Sequence, residues 1–202
     1  MWPFGGQVQQ FRLYYKDTFA ITRLAEELTR RLKTRFLPTG KRLAIVCIGT
    51  DRSTGDSLGP LTGTLLSRAN PTLPVYGTLD DPVHAANLEE KIHLINRELN
   101  DPFIIAIDAC LGQTESVGYL SLKEGSLKPG TGVNKDLPEV GDMNLVGIVN
   151  VGGFMEYFVL QNTRLSLVMD IAELMCAAIN TTVNSLPITI PLDDSAASKW
   201  LE

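Results

Sequence analysis

A chain of 202 residues, 44% hydrophobic and 20% charged, can bury a sizeable core and fits one domain of ordinary size. Its formal net charge of −5 excludes the basic footprint that nucleic-acid binding requires, because counterion release needs clustered Lys and Arg. Cys47, Cys110 and Cys176 are too scattered for a disulfide framework or a metal-ligand spacing, which points to a reducing, cytoplasmic setting. Met1-Trp2-Pro3-Phe4-Gly5-Gly6 lacks the basic and then apolar regions of a secretory signal. The longest apolar stretch, Leu165 to Ile179, is interrupted by Asp170 and Glu173 and falls short of the about 20 residues a bilayer requires, so no membrane partner is expected.

In chain order, Asp17 to Phe36 reads as a helix with Phe19, Ile21, Leu24, Leu28 and Leu32 on one stripe, closed by Pro38 and Gly40. The basic cluster Arg30, Arg31, Lys33, Arg35, Lys41 and Arg42 suits the negative dipole end of that helix. A buried strand follows from Leu43 to Ile48. Beyond a glycine-rich turn, Asp56 or Ser57 can cap a helix that Pro71 ends near Asn70. Leu73 to Leu79 reads as a strand, and Pro82 or Val83 opens a helix carrying Leu88, Ile92, Ile95 and Leu99. The run Phe103 to Ile107 is a second buried strand, ending at Asp108. Tyr119 to Leu122 and Asn144 to Val151 read as further strands, Lys123 to Glu139 as a long loop, and Phe154 to Gln161 and Arg164 to Ile179 as closing helices. The alternation predicts a three-layer α/β/α sandwich around a mostly parallel sheet. Residues 1–202 are expected to form a single domain, with 1–16 and 187–202 as weakly patterned terminal segments.

Two acids stand out, Asp56 in Gly55-Asp56-Ser57 and Asp108 in Ile107-Asp108-Ala109. Both follow apolar runs, which places them at strand carboxyl ends, the edge where open α/β sheets form ligand crevices. They are expected to converge there, in a cleft partly covered by the Lys123 to Glu139 loop. Gly49, Gly55 and Gly59 surround Asp51 and Asp56 and let the backbone turn sharply beside a ligand. The loop is neither a Walker loop nor a dinucleotide fingerprint, since both glycine spacings are absent. Two close carboxylates can share a proton and activate a water, or they can bind a divalent metal. Zinc would want a histidine as well, and only His84, just past a predicted strand, is placed to face the crevice; His93 lies mid-helix. A helix cap for Asp56 and a turn role for Asp108 remain open, and Cys110 fits a small buried residue better than a nucleophile.

At these residues the chain resembles known proteins. Ile45-Val46-Cys47-Ile48-Gly49-Thr50, Gly55-Asp56-Ser57-Leu58-Gly59-Pro60 and Ala106-Ile107-Asp108-Ala109 are similar to the spore germination protease and, more distantly, to hydrogenase maturation endopeptidases. Leu127-Lys128-Pro129-Gly130-Thr131-Gly132-Val133-Asn134-Lys135 is similar to a loop of the germination protease. With Gly77 to Ala85 and Gly152-Gly153-Phe154, most of residues 40–180 resembles the YyaC family of small sporulation proteins. The resemblance implies a phosphorylase/hydrolase-like fold, a peptidase-like domain with Asp56 and Asp108 as its catalytic aspartate pair, and a cytoplasmic place in the spore-forming cell or forespore. It implies a peptide or protein substrate, with Asp51, Gly55, Asn134 and Lys135 as candidate substrate-binding residues. In the hydrogenase proteases the two acid positions ligate a metal with a histidine downstream of the second acid. This chain has none after His93, so no cofactor is expected and His84 is the one weak metal candidate. Three functions stay open: a sporulation-associated peptidase, an inactive relative that binds a peptide or partner protein, and a metal-binding maturation factor. Oligomeric state is not readable from the sequence.

Overall fold

The elements of the computed structural model, which describes residues 10–129 and 137–187, are in chain order β1 (Phe11–Tyr14), α1 (Ala20–Arg35), β2 (Leu43–Cys47), α2 (Leu58–Ala69), β3 (Val75–Tyr76), α3 (Leu88–Leu99), β4 (Phe103–Gly112), β5 (Tyr119–Glu124), β6 (Met143–Val151), α4 (Glu156–Gln161) and α5 (Leu165–Ser185). Six strands form one sheet in the order β1-β5-β6-β4-β2-β3. β2 pairs in parallel with β3 and β4, and β4 with β6, while β5 is antiparallel to both its neighbours.

The two-residue period of the strands divides the core into two layers. Leu43, Ile45, Cys47, Phe103, Ile105 and Ile107 pack on one face with the buried residues of α1, α2 and α5. Ala44, Val46, Ile48, Ile104 and Ala106 pack on the other with Leu88, Ile95 and Leu99 of α3. Continuous apolar runs are thus required at β2 and β4, since each residue meets one helical layer or the other. The architecture is the expected α/β/α sandwich with a mostly parallel sheet.

α5 is long and apolar enough to cross a membrane by length and composition, with a mean hydropathy of 1.3 over its most apolar window. Its packing gives another reason for that composition. Val168, Ile171, Ala172, Met175, Ala178 and Ile179 are buried in the core shared with α1 and α2, and the Thr182 hydroxyl donates to the carbonyls of Ala178 and Ala25. The basic cluster largely folds onto acids: Arg30 and Arg31 pair with Glu27, Arg35 with Glu124, and Lys41 with Asp101.

Several boundaries differ from the sequence reading. β1 was not foreseen; it is an edge strand with only Leu13 buried, a weak pattern. The strand expected over Leu73 to Leu79 shortens to Val75–Tyr76, because the chain turns away at Gly77, where φ is +90° and the backbone presses against the Cys47 carbonyl. The third helix begins at Leu88 rather than Pro82 or Val83, because Val83 pairs with Ile48 and its carbonyl accepts from Gly49 N–H. β4 runs on to Gly112, carried by pairing with β6 that continues to Val151 past a bulge at Cys110 and Leu111. β5 reaches Glu124, and the loop after it is tied by pairing of Leu127 with Val140.

Candidate active site

At the end of β2 the chain is pinned on both sides. Ile48 N–H bonds to the Ile107 carbonyl at 2.7 Å, Gly49 N–H to the Val83 carbonyl at 2.8 Å, and Thr50 N–H to the Asp56 carbonyl at 3.1 Å. The loop therefore folds back so that Asp56 returns to the strand tip. Gly49 has φ +142°, and a Cβ there would lie 2.0 Å from the Asp56 carbonyl oxygen, so conformation and space both demand glycine. Gly59 lets α2 approach β2, since its Cβ would meet the Ile48 carbonyl oxygen at 2.1 Å. Between them a short 3-10 turn, Gly55–Ser57, carries Asp56. The capping role considered for Asp56 or Ser57 is not realised: no side chain caps this turn or α2, and the Ser57 hydroxyl donates to the Thr54 carbonyl at 2.7 Å.

Asp108 is not beyond a strand end but inside β4, one residue past the last β2 partner, Ile107. The strand period assigns it to the α3 side, in line with Ile104 and Ala106. It is 7% exposed, and its Oδ1 accepts from Ala109 N–H at 2.8 Å. Burial holds its carboxyl well above the ordinary carboxylate range, the Asp56 charge adds to the rise, and the Ala109 bond opposes it. Asp56 is half-buried; burial raises its pKa too, while a Thr50 backbone hydrogen bond and nearby His84 work against the rise. The two acids come from separate segments, Asp56 from the loop after β2 and Asp108 from within β4, and Asp108 senses the Asp56 charge.

His84 is the third group at this edge. Its Nδ1 accepts from Ala86 N–H at 3.2 Å, and its backbone N–H donates to Asn87 Oδ1 at 2.8 Å. Among the described residues no group of three or more His, Cys, Asp or Glu is arranged to hold a metal ion. His93 is exposed on α3, and Asp51 is exposed on the acid loop. Gly55 is buried against α4, where an added Cβ would lie 2.8 Å from both Leu160 Cδ2 and Thr163 Oγ1. Asn134 and Lys135 lie outside the described residues. The Cys110 thiol is pushed up to about 11 by burial and then by Asp108, so it stays protonated at neutral pH.

Residues 12–178 match the family described as "Protein of unknown function (DUF1256)". The chain is also 59% identical over 144 residues to "Uncharacterized protein YyaC" of Bacillus subtilis (strain 168), covering 71% of this chain and 70% of the relative. The chain belongs to this YyaC family. Neither finding names an activity, so the chemistry of the family has to be argued from the site itself.

The sequence reading missed three features of that site. Ser53, in the acid loop, is buried with no hydrogen-bond partner for its hydroxyl. Asn150, near the end of β6, donates to the Val159 carbonyl and to Thr163 Oγ1, and accepts from Val151 N–H, tying β6 to α4. Beside it, Phe154, Met155, Tyr157 and Phe158 are exposed. Only the last had a visible signal: the segment 154–160 is apolar nearly all round, more than one buried helix face can absorb.

Proposed function

We propose that this protein is a peptidase-like hydrolase of the spore-forming cell in which Asp56 and Asp108 act as a proton-sharing pair on a peptide bond. The observation that carries the reading is the placement of Asp108 one residue past the last β2–β4 pair, beside the loop that folds Asp56 back to the tip of β2; burial raises both carboxyls, Asp108 the more strongly. In such a pair the charge on one carboxyl disfavours ionisation of the other. Burial raises Asp108 more strongly than Asp56, which casts Asp108 as the acid of the pair and Asp56, the more open one, as its base.

In the reaction, the Asp56 carboxylate takes a proton from a water whose oxygen attacks the peptide carbonyl carbon, and Asp108 donates its proton toward the carbonyl oxygen as that oxygen gains charge. Collapse of the tetrahedral diol re-forms the C=O as Asp108 takes back one hydroxyl proton and breaks the C–N bond as the leaving amine takes the proton from Asp56, which restores both acids. The resemblance of the acid-and-glycine segments to the spore germination protease supports the assignment of sporulation and of a peptide or protein substrate. Free cysteines at 47, 110 and 176 are compatible with a cytoplasmic location.

A second reading, a relative that binds a peptide or partner without turnover, is favoured by the engagement of Asp108 Oδ1 with its own neighbour's N–H. The deciding experiment is incubation of wild type, Asp56→Asn and Asp108→Asn with an unfolded protein, reading new termini by mass spectrometry. Cleavage by wild type should fall by about 10²–10⁴-fold in each variant, the usual contribution of acid–base groups. Absence of cleavage by wild type, or equal cleavage by all three, would leave only the binding reading.

A further inference from the structure

At the end of β6, Gly152 and Gly153 lead into α4, and the segment around them leaves large apolar side chains in solvent: Phe154 is 90% exposed, and Met155, Tyr157 and Phe158 are each more than half exposed. Together with Asn150, Val151 and Asn162, three of these, Phe154, Met155 and Phe158, line a groove of about 460 Å³, within the about 300–1,000 Å³ of ordinary ligand sites. Its lining is apolar with two asparagine amides and no Lys or Arg. Met155 is held at φ +56°, a conformation that non-glycine residues adopt at a cost and that clusters at ligand-binding segments. The Tyr157 and Phe158 rings meet edge to face, 5.8 Å between centroids, so the aromatic ridge is ordered by its own contacts.

The inner face of α4 connects this groove to the acids. Leu160 on α4 and Thr163 just after it are what a Cβ at Gly55 would meet, and Gly55 is joined directly to Asp56. Asn150 lines the groove and bonds to the Val159 carbonyl and Thr163 Oγ1 on that same inner side. Groove and acid loop thus share one packed wall.

We infer that the α4 groove is the apolar docking subsite for an extended, unfolded polypeptide segment whose aromatic or aliphatic side chains seat beside Phe154 and Phe158 while the chain continues toward Asp56 and Asp108. This deepens the peptidase reading and rests on it for the direction of the chain. A second copy of the protein suits the surface less well. A stable dimer buries about 800 Å² and 20–30 residues on each partner, whereas this apolar ridge is built from a handful of side chains between Phe154 and Phe158, at the start of a six-residue helix. An extended segment needs only a short groove with apolar walls and a few amides to meet its backbone.

The test uses the full chain and, as probe, fluorescein-labelled, reduced and carboxymethylated α-lactalbumin, a permanently unfolded polypeptide. Binding is measured on the Asp108→Asn protein, so that turnover does not interfere, with and without the pair Phe154→Ser and Phe158→Ser. Both positions are exposed, and circular dichroism confirms the fold. The expected result is saturable binding that weakens at least tenfold in the double variant, and on the wild-type background a matching rise in KM with kcat retained. Binding without any cleavage by wild type would end the peptidase reading and leave the docking site standing. Binding that is absent, or unchanged by the double variant, overturns the docking site. So does sedimentation showing a wild-type dimer that the double variant dissolves, which would give the ridge to a second copy.

Discussion

Asp108 and Ser53 are both unfavourable to folding, and each carries a prediction. A carboxyl whose folded-state pKa lies above its unfolded value binds more protons folded than unfolded between the two. Its penalty is therefore absent below about pH 4, the unfolded value, grows as the pH rises toward the folded value, and is constant above it. Asp108 is raised in this way, first by burial and then by Asp56. Asp108→Asn keeps an oxygen acceptor for Ala109 N–H and removes the charge. Its thermal midpoint should exceed that of wild type at about pH 8, and the gain should vanish near about pH 4. A loss of stability at the higher pH would mark Asp108 as a structural acid. Ser53→Ala removes a buried hydroxyl that has no partner, and an unmet buried polar group costs about 1–3 kcal/mol. Denaturant unfolding should show the variant to be more stable; a destabilised variant would mean that the hydroxyl has a partner such as an ordered water.

At the scale of the element, the central strands were legible and the site's surroundings were not. β2 and the first half of β4 could be read because residues alternating between two apolar layers leave an unbroken apolar run, and few other structures do. The tip of β4 could not be read. Asp108, Ala109 and Cys110 resemble a strand ending in a turn, and only pairing with β6, distant in sequence, extends the strand to Gly112. The same holds for β3, whose length is set by Gly77 meeting Cys47, and for β1, whose register on β5 is a long-range fact. Asp56 and Asp108 were found because glycine spacing and strand ends mark them locally; their burial, and the company of His84, depend on three separate segments. The strand itself is a structural demand: Ile107→Ala, at a fully buried position, should cost about 2–5 kcal/mol in chemical denaturation. Substituting Ala for Gly59, 2.1 Å from the Ile48 carbonyl at its would-be Cβ, should cost about 1–3 kcal/mol by overpacking. If either variant unfolds like wild type, the packing of α2 and β4 described above is wrong at that point.

Across the whole molecule, stability should be graded from the sheet centre outward, and the gradient runs through the proposed site. The first six residues of β4 are all buried and lie between β2 and β6, with helices on both faces. Exchange of their amides with solvent requires the whole core to open. α4 is the opposite case: six residues, none of them buried, held by Leu160, by Thr163 and by the Asn150 amide. Its few tertiary ties place it at the low-stability end, where binding elements are commonly found, since they must adapt to a ligand while the scaffold stays fixed. Native-state hydrogen exchange should therefore separate two groups of amides. Those of β2, β4 and β6 should exchange only with the free energy of global unfolding, and those of α4 should exchange through local opening that is insensitive to mild denaturant. Ile107→Ala should accelerate the first group and leave the second nearly unchanged, because α4 opens without disturbing the core. Equal protection of α4 and β4 would show that the docking element is part of the rigid core, and the separation of a fixed acid site from an adaptable apolar wall would fail with it.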